Sequence, residues 1–81
     1  MIDRIRTLLA QNPMIPIDFS ALSDNASLYD AGLTSFASVQ MMLAIEEEFD
    51  IEFPEEKLTR RTFSSIANIA AAVSELTAES V

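Results

Sequence analysis

An 81-residue chain that is 49% hydrophobic, with one glycine and no tryptophan, has room for a single small core and is too apolar for disorder despite a net charge of −8. It contains no cysteine and no histidine, which excludes a disulfide framework and zinc–thiolate sites, removes the usual general base, and makes a cytoplasmic location the default. No apolar run approaches the roughly 20 residues of a membrane span, and the N-terminus lacks the pattern of a signal peptide.

Residues 1–9 place Ile2, Ile5, Leu8 and Leu9 at helical spacing, and Asn12-Pro13 ends that run. Residues 12–34 carry Pro, Asp and Asn clusters and the lone Gly32, which is loop chemistry. Ile15, Ile17, Phe19, Leu22, Leu28 and Tyr29 recur through this loop, so a packed connection is expected, with a turn of helix near residues 18–23. Residues 35–49 lack Gly and Pro and are rich in Met, Leu, Ala and Glu, the composition of a strong helix. "FPEEKL" predicts a short helix with Pro54 at its first position and Glu55 and Glu56 in its first turn. After the basic pair Arg60-Arg61, Ser64 or Ser65 is suited to cap a last helix with Ile66, Ile69, Ala70, Val73 and Leu76 on one face. No stretch alternates as a half-buried strand would. The expected fold is all-α: a small four-helix bundle of three main helices and one short one, with a long loop between the first and second, all in one domain over residues 1–81.

The second helix carries apolar residues on two sides. At about 100° per residue, Ser38, Met41, Met42, Ile45 and Phe49 share one side, wide enough to face a core. Phe36, Val39 and Leu43 lie roughly opposite, flanked or continued by Gln40, Glu46 and Glu47. So small a bundle has little with which to cover both sides, and a carboxylate-edged apolar stripe beginning next to Ser35 reads as a docking face. The alternative is that the preceding loop folds back over it. Charge placement bears on the partner. No basic residue falls between Arg6 and Lys57, whereas ten Asp and Glu do. Such a surface repels nucleic acid and anionic membranes and attracts proteins with Lys- and Arg-rich docking patches.

"GLTSF", residues 32–36, has a plain reading and a functional one. Ser and Thr at a helix start accept a backbone N–H, an N-cap worth about 1 kcal/mol, with Gly32 easing the chain into the helix. The same residues would also hold a serine out for modification. A catalytic serine is not supported, because no histidine is present and Lys57 is the only lysine. "DNASLYDAGLTS" lacks the alternating oxygen ligands and the closing glutamate of a calcium loop, and "EEE" at 46–48 is a solvated helix face. No metal ligands and no catalytic residues are expected.

Residues 28–73, "LYDAGLTSFASVQMMLAIEEEFDIEFPEEKLTRRTFSSIANIAAAV", resemble the acyl and peptidyl carrier proteins. The resemblance rests on a glycine three residues before a serine, a large apolar residue after it, a helix ending in "AIEEEFDIEFP", and the short and final helices that follow. It implies that a phosphopantetheinyl transferase attaches 4′-phosphopantetheine, taken from coenzyme A, to Ser35, with Gly32 and Thr34 forming the approach. The arm's thiol would then hold an acyl or aminoacyl cargo as a thioester, in a protein that imports its only sulfur nucleophile. The resemblance also implies a recognition surface on the second helix and the loop before it, here Leu33, Phe36, Val39, Gln40, Leu43, Glu46 and Glu47. Periodicity alone picks out most of the same residues.

Three positions depart from the family pattern. Thr34 stands where fatty-acid carriers usually have Asp, Ala31 where a larger apolar residue is common, and Phe36 in place of the more usual Leu. Thr34 and Phe36 incline the reading toward an aminoacyl or specialised acyl carrier at least as much as toward the housekeeping fatty-acid carrier. The expectation is a free-standing, monomeric, non-catalytic carrier that serves an acyl- or amino-acid-activating ligase, or synthase and acyltransferase enzymes, with basic docking patches. The rival expectation is an unmodified acidic interaction module in which Ser35 is only a helix cap.

Overall fold

Three α-helices carry most of the regular structure: α1 (Ile2–Ala10), α2 (Ser35–Phe49) and α3 (Ile66–Glu79). The computed structural model describes residues 1–79, and no strand occurs among them. The predicted short helix is a single 3₁₀ turn over Glu55–Lys57, with Pro54 before it as its cap rather than inside it. None of its residues is buried, so no apolar anchor favours extending it beyond one turn.

Helix α1 buries Ile5 and Leu9 and packs against both other long helices. On α3 the predicted face is the core: Ile66, Ile69 and Val73 are fully buried, Ala70 nearly so, and Leu76 half-buried. The buried line of α2 runs through Ala37, Met41 and Ile45. The predicted core side is therefore displaced by part of a turn, leaving Ser38, Met42 and Phe49 half-buried at its edge. Ala37 is the residue that periodicity overlooked, because its small side chain carries little hydrophobic weight.

The long connection between α1 and α2 is packed, as its apolar residues predicted. Leu28 is fully buried, Phe19, Ile15 and Leu33 nearly so, and a 3₁₀ turn covers Phe19–Ala21 with the Asp18 carboxylate accepting the Ser20 N–H. A buried Leu of this kind contributes about 2 kcal/mol. Two backbone bonds tie the connection to the start of α3: Leu28 N–H donates to Ser64 O at 2.7 Å, and Ala67 N–H to Asp24 O at 2.9 Å. Arg6 is the staple from α1. Its half-buried guanidinium donates to the carbonyls of Phe19 and Leu22 and forms an ion pair with Asp24 at 2.6 Å. Charge-assisted bonds of this kind are about twice as strong as neutral ones. The loop thus delivers residue 34 to a fixed place.

Candidate functional site: the entry to α2 and its outer face

The chain enters α2 through a turn that only glycine accommodates comfortably. Ala31 N–H donates to Ser27 O, Gly32 N–H to Tyr29 O, and Leu33 N–H to Leu28 O at 2.9 Å. Gly32 has φ +114, and a Cβ built there would meet nothing within 4 Å. Its reason is backbone conformation rather than crowding within the chain. Leu33 follows and points inward, only 6% exposed. The sequence placed it with the docking residues; here it belongs to the core and holds the turn down.

Thr34 is the N-cap. Its backbone is extended, its Oγ1 accepts the Ala37 N–H at 3.0 Å, and its carbonyl accepts the Ser38 N–H at 2.9 Å. Ser35 is therefore the first helical residue, exposed, and its hydroxyl makes no hydrogen bond among the described residues. This corrects the rival expectation that Ser35 is only a cap: the neighbouring threonine does that work. It also accounts for Thr34 in place of Asp, since both side chains cap a helix start. The N–H groups of Ser35 and Phe36 find no acceptor among the described residues, and the first turn holds no acidic side chain. A phosphodiester on Ser35 would meet these two donors and the positive end of the helix dipole. The residues present fit 4′-phosphopantetheine, which would bring the thiol that a cysteine-free chain lacks.

The outer face of α2 is uncovered. Phe36 is 58% exposed and Val39 and Leu43 are each 49% exposed, so the loop does not fold back over them. Gln40 is half-buried and Glu47 exposed along one border. Glu46 lies on the other border, half-buried, with one carboxylate oxygen accepting the Phe53 N–H at 2.8 Å. That oxygen closes the turn after α2 and is only partly available to a partner.

A cleft of about 360 Å³ opens beside this face, between α2 and the segment before α3. Ser38, Val39 and Met42 form its α2 wall, one to two turns beyond Ser35 on the same side of the helix, and Tyr29, Leu58, Arg60 and Phe63 line the rest. The Arg60 guanidinium lies 3.8 Å from the centre of the Tyr29 ring, and Leu58 is 48% exposed. Sequence reasoning noted Arg60-Arg61 only as a basic pair, and nothing in their spacing from Ser35 shows that the fold brings Arg60 and Val39 to the same cleft.

Among the described residues no group of three or more acidic side chains could hold a metal ion, and no helix is long and apolar enough to cross a membrane. Compared with known proteins, residues 3–73 match the family described as the phosphopantetheine attachment site. An aminoacyl carrier protein of Agrobacterium fabrum is 54% identical over 65 residues, covering 80% of this chain and 78% of that one. A chain in the crystal structure of an engineered Bradyrhizobium japonicum glycine:[carrier protein] ligase, complexed with a carrier protein from Agrobacterium tumefaciens and ATP, aligns with a TM-score of 0.84 and 48% identity, covering 93% of this chain and 97% of that one. A further match, with a TM-score of 0.65 and 32% identity over 88% of this chain and 90% of the other, is to a complex of the B. japonicum ligase with glycylated carrier protein. Proteins of this kind hold phosphopantetheine covalently and act as substrates for other enzymes rather than as catalysts. With its all-helical fold and a match along most of its length, this chain belongs to the phosphopantetheine-binding carrier proteins.

Proposed function

We propose that Ser35 is the residue to which a phosphopantetheinyl transferase attaches the 4′-phosphopantetheine arm, and that the cargo loaded on it is an aminoacyl group. The observation that carries the first part is the division of labour at the α2 entry: Thr34 caps the helix, and the exposed Ser35 hydroxyl has no hydrogen-bond partner among the described residues. When bound, the arm supplies a thiol on which a cargo is held as a thioester. The chain's own residues do the rest. Gly32 and the buried Leu33 fix the turn, Thr34 fixes the helix start, and the free N–H groups of Ser35 and Phe36 face the phosphate position.

For the cargo, the support is the likeness to an aminoacyl carrier protein and to chains solved with a glycine:[carrier protein] ligase. Phe36, Val39 and Leu43 form the apolar centre of the docking surface for such a ligase and for the transferase, with Gln40, Glu46 and Glu47 at its polar border. Dependence on coenzyme A for loading, and the absence of cysteine, support a cytoplasmic location for this work.

Intact mass after incubation with coenzyme A and a broad-specificity phosphopantetheinyl transferase tests the attachment. Wild type gains one phosphopantetheine and Ser35→Ala gains none; a gain in Ser35→Ala would remove Ser35 from the site. Incubation of the product with ATP, glycine and the B. japonicum ligase then tests the cargo class through a second mass gain that hydroxylamine reverses.

A further inference from the structure

The chain has five basic residues against thirteen acidic ones, and three of the five are satisfied internally. Arg4 pairs with Glu48, Arg6 with Asp24 and Lys57 with Glu75. Arg60 and Arg61 form no ion pair among the described residues, although Asp30 lines the same surface depression as both of them. In a molecule of net charge −8, exposed guanidinium groups are drawn toward the chain's own carboxylates. The Arg60 guanidinium is held elsewhere, and that of Arg61 forms no ion pair among the described residues. Arg60 stacks on the Tyr29 ring, and the Arg61 carbonyl accepts the Ser64 hydroxyl at 2.7 Å and an Asn68 side-chain N–H at 3.0 Å, which fixes the backbone beneath its side chain.

Arg60 lines the cleft beside the outer face of α2, and Arg61 shares a second depression with it. Val39 and Leu58, each about half exposed, both border the cleft that Arg60 lines. The apolar stripe of Phe36, Val39 and Leu43 therefore continues across the cleft to Leu58 and ends at Arg60, with Arg61 beside it in the adjoining depression; neither forms an ion pair among the described residues. Helix α2 itself holds no basic residue, and its far end carries Glu46 to Glu48. A surface that meets this face encounters carboxylates along α2 and guanidinium groups beyond the cleft.

Building on the reading of the chain as an aminoacyl carrier, we propose that the ligase which loads it presents Asp or Glu side chains to Arg60 and Arg61, as well as cations to the acidic border of α2. The docking surface is bipolar, and the cationic pole fixes which way round the carrier sits. A nucleic acid or an anionic membrane would meet the same cations, but the surrounding negative charge repels both. A protein surface that buries the apolar stripe also brings its own carboxylates within reach and shields the pairs from water.

The test uses holo protein, with phosphopantetheine verified by intact mass in every variant, and the B. japonicum glycine:[carrier protein] ligase with glycine and ATP. Arg60→Glu/Arg61→Glu raises the KM for carrier about tenfold at low salt and leaves kcat within about twofold. Arg61→Glu alone, which keeps the Arg60–Tyr29 stack, gives a smaller rise in the same direction, and Arg61→Lys restores most of the wild-type KM. Arg4→Gln, which removes a cation from α1, leaves KM unchanged. The difference between wild type and the double variant fades at about 0.5 M salt. An unchanged KM in the double variant, or a loss confined to kcat, overturns the proposal. Failure of the wild type to gain phosphopantetheine removes the attachment reading. Normal phosphopantetheine gain without glycylation removes the aminoacyl reading, and this inference with it.

Discussion

Two helix entries in this molecule begin with paired hydroxyl residues, and they are built differently. At α3, the second of the pair is the cap: Ser65 Oγ accepts the Asn68 N–H at 3.1 Å, is only 6% exposed, and is followed by the fully buried Ile66. Ser64 is engaged as well, donating to Arg61 O and accepting from the Asn68 side chain. At α2, the first of the pair is the cap. Thr34 takes the Ala37 N–H, and Ser35 stands at the first helical position facing solvent. A shift of one residue between the pair and the helix start decides whether a serine is structural or presented. The preceding chain enforces that shift through Gly32 at φ +114 and the buried Leu33, which rotate the next two side chains outward.

The largest effect expected from this comparison is all-or-none. Mass analysis after transferase treatment should find the modification abolished in Ser35→Ala and intact in Ser65→Ala; the opposite pattern would invert the comparison. Arg6→Gln is next. Removing the guanidinium that bonds Phe19 O, Leu22 O and Asp24 should cost about 2–3 kcal/mol in urea unfolding and loosen the loop that delivers Thr34 and Ser35. A loss below about 0.5 kcal/mol would mean that the connection is held by its apolar residues alone. Ser65→Ala should cost about 1–2 kcal/mol, because a cap is lost in a buried setting. Thr34→Ala, at a more open entry, should cost about 1 kcal/mol, and Thr34→Asp should be nearly neutral. The smallest expected effect sharpens the comparison most. Ser35→Ala should leave the stability of the unmodified protein within about 0.3 kcal/mol of wild type; a loss of a full cap's worth would show that Ser35, and not Thr34, closes the helix in solution.

Much of this was legible in the residues. The heptad-like spacing on α1 and α3 and the long Gly-free run of α2 placed the three helices, and Ile15, Phe19 and Leu28 announced a packed connection. Phe36, Val39 and Leu43 could be recognised as unburied because the opposite side of α2 already held a full complement of core residues. Leu33 misled because a leucine beside a functional serine reads equally well as contact or anchor, and only the direction of the turn decides. The predicted short third helix is present as one 3₁₀ turn and no longer, because "PEEK" offers helix-favouring charges but no apolar residue for the core to hold.

The stretch in which a modified serine would lie was implied by the family resemblance, whereas composition and local pattern by themselves determined the helical class, the acidic character and the lack of a thiol of the chain's own. These follow from short-range chemistry: propensity, periodicity and the absence of cysteine and histidine. Tertiary structure alone decided which of two adjacent hydroxyls caps α2, that Leu33 faces inward, and that Arg60 shares a cleft with Val39. Each depends on backbone direction or on contacts between residues far apart in the chain, where a rotation of one residue position exchanges a buried side chain for an exposed one.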